Sequence, residues 1–400
     1  MLDEVCKPHV LTDRDIAMDI APLDRAWEAD ATFALVPERA PVSREWIAGA
    51  LDRLPEAWRR DHFALLTSGS TGQPRLVIGA RQRAEDLARL LDRVQRSEQA
   101  RETVLTLPLT YCYAFVNQWL WARVLGRALV TTSGMADAAA LRGALDKVEQ
   151  STLCLVGAQV PMLAGILGSD CFPGISHVHF AGGAFPQHSI TRLREWFPRA
   201  EIFNNYGCAE AMPRLSVRNA RDSADAANIG TPLPGVELVA DERDNLLFRS
   251  PYRAVGIVTD GEVGAFADED WIATGDLGCA AEDGSWLVLG RAGEVFKRYG
   301  EKFSIPSLLQ QVHEVWDGEA ACYRASDRAG EPGAVLVLAP RPDADGLARV
   351  LRALRGSFPR PLWPLRIEAI PTLPRLSSGK PDTLSLTRIE SPLVLWRQRI

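Results

Sequence analysis

The sequence predicts an α/β fold in two unequal parts, and three observations carry that prediction. Short apolar runs alternate with amphipathic stretches from residue 63 to about 205. From about 229 to 290 the chain turns to brief strands punctuated by Gly and Pro. Beyond Gly290 a shorter alternation of helix and strand patterns follows. The expected architecture is a large N-terminal domain, residues 1–290, with parallel sheet, helices and a twisted, mostly antiparallel β segment. A small α+β C-terminal domain, residues 291–400, completes it.

Each element has its own warrant. "TVLTLPL" (103–109), "RALVTT" (127–132), "TLCLVG" (152–157), "HVHFAG" (177–182) and "AEIFNN" (200–205) are β-rich and too short for helices. Between them, Leu87, Leu90, Leu91 and Val94 recur at helical spacing over 84–94, and 136–150 and 187–197 are similar. Buried strands joined by helical crossovers make a parallel sheet. "IGTPLPGVELV", "NLLFRSP", "AVGIVTD" and "SWLVLG" supply the antiparallel segment. A helix near 305–315, strands near 320–325 and 334–339, a helix near 344–355 and a strand near 364–370 form the last unit, with the boundary near "GRAGE" (290–294). His177 and His179 share a strand face with no third ligand nearby and read as core histidines. Trp119 and Trp121 read as helix packing.

Composition narrows the function. Four hundred residues at 46% hydrophobic content can bury more than one core. A net charge of −6 argues against nucleic-acid or anionic-membrane partners. Seven scattered cysteines without a C-x-x-C pair fit a reducing compartment. The N-terminus lacks an apolar signal core, and no run of 18 apolar residues occurs, so a cytoplasmic protein without an anchor is expected. Of the 45 basic residues only Lys7, Lys147, Lys297, Lys302 and Lys380 are lysines. A Lys inside a motif is therefore informative, because Arg does not reproduce its compact point charge.

The stretch "LTSGSTGQPR" (66–75) follows the apolar run Phe63–Leu66. Backbone N–H groups and hydroxyls of such a loop can cradle phosphate oxygens. It does not match G-x-x-x-x-G-K-[ST], because Pro74 and Arg75 stand where Gly and Lys would be needed. By itself it is equally a surface turn. Downstream, in order, come "NNYGCAE" (204–210), "ATGDLG" (273–278), "GRAGEVFKRYGEKFS" (290–304) and "LPRLSSGKPD" (373–382). Three of the five lysines fall in the last two. Together the five motifs, over roughly residues 60–385, resemble the core motifs of the adenylate-forming (AMP-binding) superfamily. Its members include acyl- and aryl-CoA synthetases, adenylation domains of nonribosomal peptide synthetases, and luciferases.

The resemblance implies an enzyme that joins a carboxylate to the α-phosphate of ATP, with Mg²⁺, releases pyrophosphate, and passes the acyl group to a thiol. It assigns Thr67, Ser68, Gly69, Ser70, Thr71 and Gly72 to the pyrophosphate loop, with Arg75 in place of the usual Lys. Tyr206, with Asn205 and Gly207 beside it and Gly183 in the preceding turn, is placed at the adenine. Glu210 resembles the magnesium ligand, Asp276 the acceptor of the ribose hydroxyls, and Arg291 its companion. Lys380 matches the catalytic Lys, delivered by a mobile C-terminal domain. That domain then rotates about a hinge, here Gly293, and Lys297 and Gly300 fall in the wall of the thiol tunnel.

The acid pocket is expected between 108–119, 155–161, 181–186 and 204–207, with Tyr111, Tyr113, Phe115, Gly182 and Ala184 lining it. No Asp in the first segment can hold an α-ammonium group, so an aromatic or modest-length apolar acid is expected rather than an amino acid. The thiol belongs to CoA or to a carrier-protein phosphopantetheine. The lack of an obvious basic cluster for a 3′-phosphate tilts the choice to the carrier. Three features depart from the family pattern: Ala209 where Thr or Ser is usual, Gly293 at the hinge, and only 66 residues before Thr67. The last predicts a reduced N-terminal subdomain whose exposed sheet is covered by a carrier, a partner subunit or a homodimer interface. The same departures support a second reading, a nucleotide-binding remnant acting as a partner or regulatory protein.

Overall fold

The structure, a computed structural model, describes residues 9–17, 19–68, 74–375 and 381–398. Strands β1 (His9–Thr12), β2 (Phe33–Val36) and β3 (His62–Ser68) run parallel, and β4 (Pro74–Ala80) returns antiparallel on β3. The connection 69–73 is far too short for a parallel crossover, which takes a dozen or more residues, so a hairpin is obligatory. The alternation beginning at residue 63 is thus not one sheet: Phe63–Leu66 belongs to a sheet of its own, and the main parallel sheet starts at Glu102.

That main sheet contains β5 (Glu102–Val104), β6 (Ala128–Val130), β7 (Ser151–Leu155), β8 (Ile175–Phe180) and β9 (Glu201–Tyr206) in the order 6-5-7-8-9, all parallel. The strand expected over 103–109 stops at Val104, where the amide of Thr106 leaves the ladder for the Gln118 side chain (2.9 Å) and Pro108 has none to give. The helix expected over 136–150 spans Ala138–Leu145, N-capped by Asp137. Its neighbours Val160–Leu167 and Ile190–Trp196 cover the same face through Leu141, Leu163, Leu193 and Trp196.

The antiparallel segment contains β10 (Ser216–Asn219), β11 (Asn228–Pro232), β12 (Glu237–Ala240), β13 (Asn245–Arg249), β14 (Gly256–Thr259), β15 (Glu262–Ala265), β16 (Ile272–Ala280) and β17 (Trp286–Arg291). Strand β10 pairs with β9, and the main sheet continues through β11, β17, β16, β13 and β12 to eleven strands. The hairpin β14–β15 instead docks on β4, with Gly256 opposite Ile78, and makes the first sheet six-stranded. Helix Arg81–Val94 and the helical segment 112–125 fill the space between the two sheets with Leu87, Leu91, Phe115, Trp119 and Leu120. Within that segment Phe115–Leu120 is wound as a π-helix, a rare form that is frequent at functional sites. His177 and His179 are buried, stacked 6.0 Å apart, with Phe203 beside them.

Beyond Arg291, β18 (Val295–Arg298) and β19 (Glu301–Ser304) form a tight hairpin whose central residues, Tyr299 and Gly300, have φ of 47° and 84°. Two left-handed residues match the right-handed strand twist. Helix Ile305–His313, capped by Ser304, and helix Ala344–Ser357 pack on a sheet of β20 (Glu319–Ser326), β21 (Pro332–Ala339), β22 (Arg366–Ala369) and β23 (Leu393–Arg397). Among the described residues no helix is long and apolar enough to cross a membrane.

Among the contacts that tie this last part to what precedes it, Ser304 Oγ donates to Leu289 O at 2.7 Å and two others join side chains. Lys302 Nζ lies 2.8 Å from Asp244 Oδ2, and the rings of His188 and His313 stack at 4.9 Å. Burial, and secondarily the neighbouring His188, push His313 down to about 4. In the unfolded chain its value is about 6.5. Folding therefore favours the neutral ring, so the contribution of this contact is complete above about pH 6.5 and is lost as pH falls toward about 4. Asp317, which raises His188, only partly opposes this. His313→Phe, which retains a stacked ring, is expected to flatten the acid limb of a Tm-against-pH profile between those values. Parallel profiles for variant and parent would refute the assignment.

Candidate active site

The site is built around the carboxyl end of β9, where an open α/β sheet presents its ligands. Tyr206 is the last residue of that strand. A Cβ at Gly207 would overlap the Pro213 carbonyl and the Arg214 nitrogen, so only glycine lets the chain double back here. The return is fixed by Leu215 N donating to Tyr206 O at 2.8 Å. Within the loop, Ala209–Ala211 makes a single turn that ends on Met212 at φ 58°, a left-handed conformation that costs a non-glycine about 1 kcal/mol. Glu210 is thereby aimed at β4, with Oε1 3.7 Å from Arg75 Nη1, and its carbonyl accepts from Ala254 N at 2.9 Å.

Arg75 faces Thr67 across the β3–β4 hairpin, and Thr67 Oγ1 donates to the Arg75 carbonyl at 3.5 Å. The neck of the β3–β4 hairpin therefore carries a cation, with a carboxylate beside it. Ser68 ends β3. Gly69, Ser70, Thr71, Gly72 and Lys380 lie outside the described residues.

A second group forms where β16 and β17 pair. Asp276 and Arg291 are register partners, and Arg291 Nε lies 2.9 Å from Asp276 Oδ1. The other carboxylate oxygen, Oδ2, accepts from Tyr206 Oη at 2.7 Å. Burial, then the negative charge of Asp276, hold the Tyr206 phenol well above its ordinary value, so it remains a donor. Residues from three motifs thus share one carboxylate.

On the acyl side, Gly182, Gly183 and Ala184 form an exposed turn after β8, with Gly182 at φ 76°. Tyr111 is half-buried, and Tyr113 is buried with its hydroxyl donating to His179 O at 2.7 Å. Two expected site residues lie elsewhere. Phe115 is wholly in the core, stacked on Phe63 at 4.9 Å and against Trp119, because the π-helix turns it between the sheets. Asn205 is buried, its amide donating to Phe180 O and accepting from Gln95 at 2.6 Å, so its side chain locks strands rather than facing solvent. Lys297 is exposed, opposite Lys302 on the hairpin. At Gly293 a Cβ would meet nothing, so nothing in its surroundings requires glycine. Arg214, fully buried, escaped notice in the sequence: with 40 of the 45 basic residues being Arg, one more carried no signal. A crevice of about 710 Å³, lined by Arg101, Lys147 and Cys171 among others, opens at the opposite, amino end of the parallel strands, away from every motif.

Residues 8–250, more than half of the chain, match the family model of the AMP-binding enzymes. The chain belongs to the AMP-binding enzyme family. Among its relatives, a D-alanine–D-alanyl carrier protein ligase of Streptococcus pneumoniae is 25% identical over 278 residues, covering 64% of this chain and 54% of the relative. The non-ribosomal peptide synthetase CmlP of Streptomyces venezuelae is 25% identical over 391 residues, covering 92% of this chain and 38% of the synthetase. This AMP-binding enzyme thus spans about half the length of the first of these relatives and less of the second. Among solved structures, O-succinylbenzoate coenzyme A synthetase (MenE) from Bacillus subtilis with AMP superposes at a TM-score of 0.70, with 18% identity, over 96% of this chain and 84% of that one. The anthranilate CoA ligase AuaEII with anthranoyl-AMP gives 0.70 and 16%, over 96% and 78%. These likenesses establish the α/β fold.

Proposed function

We propose that this AMP-binding enzyme activates a carboxylic acid as an acyl adenylate and hands the acyl group to a thiol. A carboxylate oxygen attacks the α-phosphorus of ATP, the bond to the β-phosphate oxygen breaks, and pyrophosphate leaves. A thiol then attacks the acyl carbon, AMP leaves, and the thiol proton passes to solvent. The observation that carries this reading is the convergence of Tyr206 and Arg291 on the Asp276 carboxylate, with Arg75 and Glu210 paired at the neck of the β3–β4 hairpin. Asp276 suits ribose hydroxyls, since a carboxylate accepts several hydrogen bonds at once. Arg75 and the hairpin suit the leaving pyrophosphate, whose charge grows in the transition state. A single hard carboxylate at the hairpin mouth fits Mg²⁺, which takes one or two protein carboxylates and completes its shell with phosphates and water. Glu210 would hold it, and the ion would supply charge neutralisation between phosphates.

The acceptor is a phosphopantetheine thiol, on a carrier protein or within CoA. The carrier is supported by the D-alanyl carrier protein ligase and the peptide synthetase, CoA by the two CoA ligases of similar fold. Acid-dependent exchange of labelled pyrophosphate into ATP, run over aryl, acyl and amino acids, tests the first half. Folded protein that exchanges with none of them would overturn it. Parallel reactions with CoA and with a phosphopantetheinylated carrier then separate the acceptors.

A further inference from the structure

Every other buried arginine among the described residues leaves at most one guanidinium nitrogen without a partner. Arg127 pairs with Asp92 at 2.6 Å, Arg298 with Asp327 at 3.0 Å and Arg253 with Asp268 at 3.3 Å. Arg81 donates to the carbonyls of Ala26, Trp27, Ala29 and Ala31, and Arg218 to Ser223 O and Gln187. Arg214 differs. It is 0% exposed, its Nη2 donates only to Asn117 Oδ1 at 2.5 Å, and its Nε and Nη1 have no hydrogen-bond partner. The groups around it are the neutral Tyr113, Cys154 and Cys112, and the Tyr113 ring covers the guanidinium at 5.4 Å. An unpaired buried charge costs several kcal/mol, so its retention calls for a partner.

Its position says what that partner is. Arg214 leaves the loop that starts at Gly207, four residues after Glu210, and reaches beneath the segment 111–117. Those two stretches touch, with Cys112 Sγ 3.9 Å from the Ala209 carbonyl. The π-helical winding of Phe115–Leu120 turns Asn117 and Gln118 inward, and Thr106, His179 and Tyr113 add further buried polar groups. The layer beneath the segment 111–117, where the sequence places the acid, is therefore polar and cationic.

We infer that the acid carries a second anionic group, a carboxylate distal to the one adenylated, and that Arg214 receives it through Nε and Nη1. The inference rests on the adenylation reading. The Tyr113 ring is the side chain that must turn aside to admit the ligand, a rotamer change of the kind common on binding. A purely apolar acid would leave the guanidinium unpaired, whereas an aromatic body with a distal carboxylate meets both Tyr111 and Arg214.

Matched sulfamoyl-adenosine analogues test it without turnover: benzoyl, 3-carbamoylbenzoyl and 3-carboxybenzoyl, titrated calorimetrically into the full chain with AMP as reference. The carboxylate analogue is expected to bind about 10- to 100-fold more tightly than the other two, as for other sites built around a buried charged donor. In Arg214→Gln that preference is expected to fall within about threefold while AMP affinity holds. Equal affinities in the parent protein, or a preference that survives the substitution, would overturn the inference. The parent comparison decides by itself should the variant not fold. Folded protein that binds neither AMP nor any analogue overturns the adenylation reading instead.

Discussion

Asp276→Ala is expected to weaken AMP and ATP binding by about 100-fold and to lower stability by about 1–2 kcal/mol. Two separate losses add. In the proposed role the ribose loses a charged acceptor for its hydroxyls, each such hydrogen bond being worth about 1.5–3 kcal/mol. The Tyr206 hydroxyl, which now donates to Asp276 at 2.7 Å, is left without that acceptor in a poorly hydrated place. Arg291 is half-exposed and can turn to water, so its loss of a partner costs little. Asp276→Asn separates the two effects: an amide oxygen still accepts from Tyr206, but the charge is gone. Stability should largely return in Asp276→Asn and nucleotide affinity should not. A double-mutant cycle with Tyr206→Phe isolates the hydroxyl's share. Calorimetric titration of AMP reads the first quantity and thermal unfolding the second. Asp276→Ala binding AMP within threefold of the parent would remove the ribose assignment.

The five short strands of the parallel sheet were legible because each is a short run containing apolar β-formers and bounded by turn residues, and local composition suffices for that. Sheet membership was not. That Gly256 lies opposite Ile78 depends on packing between segments nearly two hundred residues apart, which periodicity does not encode. The hairpin joining β3 to β4 has a local signal, a connection too short for a crossover. Tyr206 and Arg291, which end β9 and β17, meet the Asp276 carboxylate of β16 through strand pairing, while Glu210 reaches Arg75 from its single turn. Phe115 and Asn205 were misplaced for one physical reason. A strand or helix presents alternate residues to opposite sides, and neighbours of a site residue are as readily buried behind it. The π-helical winding that carries Phe115 inward also has no sequence signature, since "CYAFVNQWLW" fits an ordinary helix.

Lys380→Ala is expected to reduce acid-dependent ATP–pyrophosphate exchange by about 100- to 1,000-fold, the usual cost of removing one preorganised donor from a charge-developing transition state. The proposed reaction has three anionic groups to bring together: the attacking carboxylate, the α-phosphate and the departing pyrophosphate. Arg75 and Glu210 are fixed at the hairpin neck and present before and after reaction alike. A group that acts chiefly in the transition state has to arrive with it, and a compact ammonium on a flexible stem suits that better than a planar guanidinium. Three consequences follow together. AMP affinity should be nearly unchanged, because the ground state does not depend on this charge. Lys380→Arg should rescue poorly, despite conserving charge in a chain that otherwise writes it as Arg. Transfer from a preformed acyl adenylate to the thiol should proceed at close to the parent rate, since that step in this family follows withdrawal of the Lys. Single-turnover transfer from synthetic adenylate, set beside the exchange assay, measures the contrast. Loss of both half-reactions in equal measure would make Lys380 a structural residue, and exchange within threefold of the parent would remove it from the chemistry.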